Sequence, residues 1–74
     1  MTVTVKLIGP LVYAAGFSEK AFTFPQPVTA RELLSRVRIA DLPTIVTRNG
    51  NAVSPLDTLA EGDRVVVSPI YSGG

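Results

Sequence analysis

Glu61-Gly62-Asp63-Arg64-Val65-Val66-Val67-Ser68-Pro69-Ile70-Tyr71-Ser72-Gly73-Gly74 forms the end of the sequence. Glu61-Gly62-Asp63 has turn chemistry, with the glycine taking a positive φ. Arg64 to about Pro69 then reads as a strand rich in β-branched residues. Side chains alternate along a strand, so if Val65 and Val67 face a core, Val66 and Ser68 face out. The strand leads directly into Gly73-Gly74. A backbone without Cβ atoms can enter a channel too narrow for any side chain. That suits a main-chain carboxylate presented to another protein.

Upstream, Thr44 to Arg48 is a β-branched run, and Asn49-Gly50 is the strongest short hairpin signal a sequence offers. A short return strand, Asn51 to Val53, stops at Ser54-Pro55, and Leu56 to Leu59 reads as a single turn carrying two core leucines. Further back, Thr29-Ala30-Arg31-Glu32 is a capping box, with Thr29 at the N-cap and Glu32 at N3. Ala30, Leu33, Leu34 and Val37 follow at helical spacing and make one apolar stripe. The helix should fade near Arg38 to Ala40 and end before Pro43, which disfavours helical geometry at Leu42.

At the other end, Thr2 to Ile8 alternates, with Val3, Val5 and Leu7 on one side and Thr2, Thr4 and Lys6 on the other. Gly9-Pro10 breaks this strand, and Leu11 to Gly16 reads as a connection that packs down. Alternation resumes from Glu19 to Phe24 and closes at Pro25-Gln26-Pro27, since proline cannot donate to a ladder. The order is strand, strand, helix, strand, short strand, strand. One helix across one face of a mixed sheet buries these stripes economically. With the first and last strands parallel and central, the expected fold is α+β: a ubiquitin-like β-grasp of four to five strands with one main helix. The domain is expected over residues 1–69, with 70–74 as a flexible tail.

Composition narrows the function. The 74 residues make one domain at most. A hydrophobic fraction of 46% with 18% charged residues fits a globular domain rather than a disordered chain. The net charge is only +1, and the basic residues are interleaved with six acids, so nucleic acid is not the expected partner. There is no cysteine and no histidine, which excludes disulfides, thiolate nucleophiles and histidine-based acid–base catalysis. The absence of cysteine suits the cytoplasm. The N-terminal stretch lacks a signal-peptide pattern, and no apolar run approaches the ~20 residues that cross a membrane.

Candidate chemistry is sparse. Asp57, Glu61 and Asp63 fall close together, but their spacing matches no calcium-binding loop, and solvated turn acids explain them better. There is no phosphate-cradling glycine loop and no nucleophile elbow. What remains is the terminal carboxylate of Gly74, which becomes electrophilic only when activated. Adenylation makes it a mixed anhydride from which a sulfur nucleophile displaces AMP.

The stretch Leu59-Ala60-Glu61-Gly62-Asp63-Arg64-Val65, together with Pro69-Ile70-Tyr71-Ser72-Gly73-Gly74, resembles the end of the MoaD/ThiS sulfur-carrier proteins. Asn49-Gly50 before a return strand and Leu11-Val12-Tyr13-Ala14-Ala15-Gly16-Phe17-Ser18-Glu19 after the first strand are also similar to that family. The resemblance implies that Gly74 is the adenylated and thiocarboxylated terminus, with Gly73 beside it. It implies a MoeB/ThiF-like adenylating enzyme that uses ATP and magnesium, with no cofactor held by the chain itself. It further implies a sulfur donor such as a cysteine desulfurase or rhodanese. The acceptor would be a synthase, either the molybdopterin synthase large subunit or thiazole synthase. On this reading the chain is a carrier or small synthase subunit rather than an enzyme.

The sheet surface away from the helix is the expected docking face. Leu11, Val66, Ile70 and Tyr71 are the candidate contacts, with Pro69 and Ser72 on the approach, because apolar residues near the tail can supply docking energy. Arg48 and Arg64 are candidates for steering an acidic partner groove. Two other readings stay open: a non-covalent interaction module in which Gly-Gly is incidental, and a modifier that joins Gly74 to lysines.

Overall fold

The computed structural model describes residues 1–70. Five strands form one mixed sheet: β1 (Thr2–Leu7), β2 (Glu19–Thr23), β3 (Thr44–Arg48), β4 (Asn51–Ala52) and β5 (Arg64–Pro69), in the order β2-β1-β5-β3-β4. β1 and β5 are parallel and central, while β2 and β3 pair antiparallel to them on either side. The expected β-grasp arrangement is present.

The alternation in β1 and β5 sets the core. Val3, Val5, Val65 and Val67 are fully buried, and Val5 pairs with Val65 and Leu7 with Val67 across the parallel ladder. The helix α2 (Ala30–Arg36) adds Ala30, Leu33 and Leu34 to the same cluster, with Val37 at its C-cap. Its capping box forms as expected: the Glu32 backbone N–H donates to Thr29 Oγ1 at 3.2 Å, and the Thr29 N–H donates to Glu32 Oε1 at 2.9 Å.

Three local expectations need correction. Leu11 to Gly16 is not a bare connection, because Leu11–Ala15 forms a short helix, α1, closed by Gly16 in the left-handed conformation. Gly16 donates its N–H to the Val12 carbonyl at 2.8 Å. Leu56 is not a core leucine: it is 74% exposed, whereas Leu59 is 2% exposed. Finally, α2 ends at Arg36 instead of fading to Ala40. The Ile39 N–H donates to the Leu34 carbonyl at 3.0 Å and the Arg38 N–H to Ser35 at 3.1 Å. This is a Schellman closure, and it drops Ile39 into the core with no exposure.

Arg38 occupies the left-handed position of that closure, at φ 67°. Glycine is the usual residue there, because a Cβ in this conformation costs roughly 1–2 kcal/mol. Arg38→Gly should therefore raise unfolding free energy by about 0.5–1 kcal/mol, after allowing for the added freedom of the unfolded chain. Urea denaturation measures this directly. A destabilised variant would mean that the Arg38 side chain contributes more than its backbone costs.

Candidate functional site at the exit of the central strand

β5 is fixed at its start by a polar cluster. Asn49 and Gly50 both have positive φ, at 51° and 87°, as the type I′ turn between β3 and β4 requires. That geometry lets Asn49 accept the Arg64 N–H on Oδ1 at 2.9 Å, while its own N–H donates to the Arg64 carbonyl at 2.8 Å. Asn49 Nδ2 donates to Asp63 Oδ1 at 3.2 Å, and the Ala60 N–H donates to Asp63 Oδ2 at 2.8 Å. Arg48 Nη1 lies 3.6 Å from the same Asp63 carboxylate and donates to the Thr58 carbonyl at 2.7 Å. Asp63 is buried, so the bonds and the cation together offset its desolvation.

This corrects two expectations. Asp63 is a buried anchor, not a solvated turn acid, and Arg48 holds the loop before β5. Arg64 is more exposed and lies 3.5 Å from Glu19. The three acids Asp57, Glu61 and Asp63 do not converge. Asp57 accepts the Ser54 N–H at 2.9 Å and Glu61 accepts the Thr2 N–H at 3.2 Å. Among the described residues no three potential metal ligands gather.

The far end of β5 is held as firmly. The Ile8 N–H donates to the Val67 carbonyl at 3.0 Å, and Thr44 of β3 pairs with Pro69. One residue later, the Ile70 N–H donates to the Pro43 carbonyl at 3.2 Å. The chain is therefore gripped through Ile70, one residue into the expected tail. Tyr71, Ser72, Gly73 and Gly74 lie outside the described residues.

The candidate contacts divide. Val66 is half-buried on the outer face, paired with Lys6 and Thr47, as the alternation predicts. Pro69 is half-buried, and Ile70 is 51% exposed. Leu11 is 3% exposed, because the first turn of α1 turns it into the core, so it offers no docking surface. The residue missed by sequence reading is Ile45, 51% exposed and opposite Ser68. The register makes it readable: Val46 pairs with core Val67, so its neighbour must face out. Ile8, at 37% exposure, follows β1 at the same end of the sheet. An apolar surface of Ile8, Ile45, Val66 and Ile70 thus surrounds the point where the chain leaves β5.

A helix laid on a mixed sheet, whose last strand is central and runs out beside an apolar surface, defines a ubiquitin-like domain. Residues 5–74 match the sequence model of the ThiS family, and the chain belongs to that family. Members of the ThiS/MoaD group are ubiquitin-fold sulfur carriers, small subunits that carry a group rather than catalyse its transfer. No functionally curated protein matches the chain significantly.

Solved structures with the same fold include SAMP1 from Haloferax volcanii (TM-score 0.80, 21% identity, covering 100% of both chains). A putative molybdopterin converting factor, subunit 1, from Pyrococcus furiosus is similar at TM-score 0.80 and 24% identity, covering 93% of this chain and 97% of that one. A third is the complex of subunits 1 and 2 of the molybdopterin-converting factor from Helicobacter pylori (TM-score 0.68, 18% identity, 100% of both chains). At these identities the likeness carries the fold alone.

Proposed function

We propose that this chain is a sulfur carrier whose Gly74 α-carboxylate is adenylated, converted to a thiocarboxylate and used as a sulfur donor in molybdopterin or thiamine-thiazole biosynthesis. The observation that most supports this reading is a family match reaching residue 74, beyond a central strand gripped through Ile70. A Gly74 carboxylate oxygen attacks the α-phosphorus of ATP and pyrophosphate leaves. Hydrosulfide displacing AMP gives the thiocarboxylate directly, whereas a persulfide gives an acyl disulfide that a second thiol cleaves. None of these steps asks an acid, base or metal of the chain itself. Its contribution is placement: the four residues past Ile70 reach at most about 14 Å when extended.

The partners on this reading are a MoeB/ThiF-like adenylating enzyme, a persulfide-forming sulfur donor and an acceptor synthase. Their shared contact is the apolar surface of Ile8, Ile45, Val66 and Ile70. Ile45→Glu, at a half-exposed position, should leave the thermal midpoint nearly unchanged and raise the KM for adenylation about ten- to thirtyfold, the cost of one lost anchor. An unchanged KM would remove this face from the docking surface.

A second reading, prompted by the similarity to the small archaeal modifier protein 1 of Haloferax volcanii, is a modifier that joins Gly74 to a lysine amine. Both readings begin with acyl-adenylate formation, measured as ATP–pyrophosphate exchange by an adenylating enzyme. Exchange dependent on the chain is expected, and its absence with every MoeB/ThiF-type enzyme of the source cell would overturn both. Conjugates of higher mass as the main product would favour the modifier.

A further inference from the structure

A second surface lies on the helix-bearing face of the sheet, at the edge opposite β4. Phe17 and Phe22 line a depression of about 230 Å³ there, with ring centroids 5.5 Å apart. Lys20, Arg36 and Arg38 also line it, and Lys20 Nζ sits 5.5 Å from the Phe22 ring centroid. Among the described residues, Arg48 and Arg64 pair with carboxylates and the other five basic side chains do not; three of those five, Lys20, Arg36 and Arg38, gather at this depression. Three uncompensated cations around one depression stand out in a chain whose net charge is +1. One of them, Arg38, holds a left-handed position that glycine would occupy at lower cost.

β2 is an edge strand that pairs only with β1. The ladder is bracketed by the Leu7 N–H on the Ser18 carbonyl at 2.8 Å and the Phe24 N–H on the Met1 carbonyl at 2.7 Å. Antiparallel alternation then turns Lys20 and Phe22 toward β1 in their backbone bonding, and leaves the N–H and C=O of Ala21 and Thr23 on the open edge. The free backbone edge, the aromatic depression and the three cations adjoin one another.

We propose that this edge receives an extended acidic segment of a partner protein. The segment pairs with Ala21 and Thr23 as a sixth strand, sets an apolar side chain on Phe17 and Phe22, and places carboxylates against Lys20, Arg36 and Arg38. A peptide is favoured over a nucleic acid because only a peptide can use the unpaired strand edge. In addition, the two phenylalanines pack on each other and on the core rather than standing free for base stacking. This surface is on the opposite side of the sheet from Ile45 and Val66, so both can be occupied together. It does not depend on the sulfur-carrier reading.

The test is an NMR titration of the isotope-labelled chain with an acetylated, amidated peptide, Asp-Val-Ile-Val-Asp-Glu, at low salt. Saturable shifts are expected at Ala21, Phe22, Thr23 and Val37. Arg38→Gly, expected to stabilise the fold, should weaken binding about three- to tenfold, and Lys20→Glu with Arg36→Glu should weaken it about a hundredfold. A peptide with lysines in place of its acids should not bind. Shifts centred instead on Ile45 and Val66, or affinity untouched by these variants, would overturn the proposal. So would an oligonucleotide that binds the same residues more tightly than the peptide. An absence of saturation at millimolar peptide would also overturn it, leaving Lys20 as a charge that merely blunts an exposed edge.

Discussion

Deleting Gly74, or adding one alanine after it, is expected to abolish adenylation and sulfur transfer while leaving the fold intact. One residue shortens or lengthens an extended chain by about 3.5 Å. A misplacement of only 1 Å at a reacting centre can cost about a hundredfold, so a loss of at least about a thousandfold follows in either case. The extended variant also ends in a residue with a Cβ, where the proposed channel has no room for one. Stability should not change, because among the described residues every core residue lies before Ile70, well short of the altered position. Pyrophosphate exchange and calorimetry on the same samples separate the two effects. Retained exchange in the deletion variant would mean that the adenylating enzyme does not read the position of the Gly74 carboxylate.

Leu59→Ala should cost about 2–5 kcal/mol of unfolding free energy, and Leu56→Ala less than about 0.5 kcal/mol. Leu59 is 2% exposed inside the single core cluster, and its N–H donates to the Val28 carbonyl at 2.8 Å. Truncation there leaves a cavity that neighbouring strands cannot close. Leu56, at 74% exposure, loses little by the same change. For a domain of this size total stability is about 4–11 kcal/mol, so Leu59→Ala puts the native state at risk. Urea denaturation of both variants decides the matter. Equal costs would mean that Leu56 is covered in solution.

These two leucines show where sequence reading stops. Spacing alone treats Leu56 and Leu59 as a pair; the direction of each is fixed by the local turn in which Asp57 and Ser54 bond each other and by the long-range bond of Leu59 to Val28, and spacing shows neither. Alternation in β1 and β5, the Thr29–Glu32 capping box and the Asn49-Gly50 turn were legible because each is a local rule with its own residues. Ile39 was hidden because an arginine, not a glycine, closes α2. Leu11 was misjudged because a five-residue helix carries too little periodicity to show which side faces in. The anchoring of Asp63 by Asn49 and Arg48 depends on contacts across the β3–β5 pair, which spacing does not reveal. At the site, the strand leading to Gly73-Gly74 and the outward Val66 were readable, and Ile45 emerges once the register of β3 against β5 is known.

On the sulfur-carrier reading the reactive group is the Gly74 carboxylate, and sulfur ends up on it. Intact mass spectrometry of the untagged chain, after incubation with its adenylating enzyme, ATP, magnesium and a persulfide donor, tests this most directly. A mass gain equal to one oxygen replaced by sulfur is expected. The gain should localise to the C-terminal peptide and be absent when ATP is omitted. An unchanged mass in the presence of a demonstrably active adenylating enzyme and donor would contradict it.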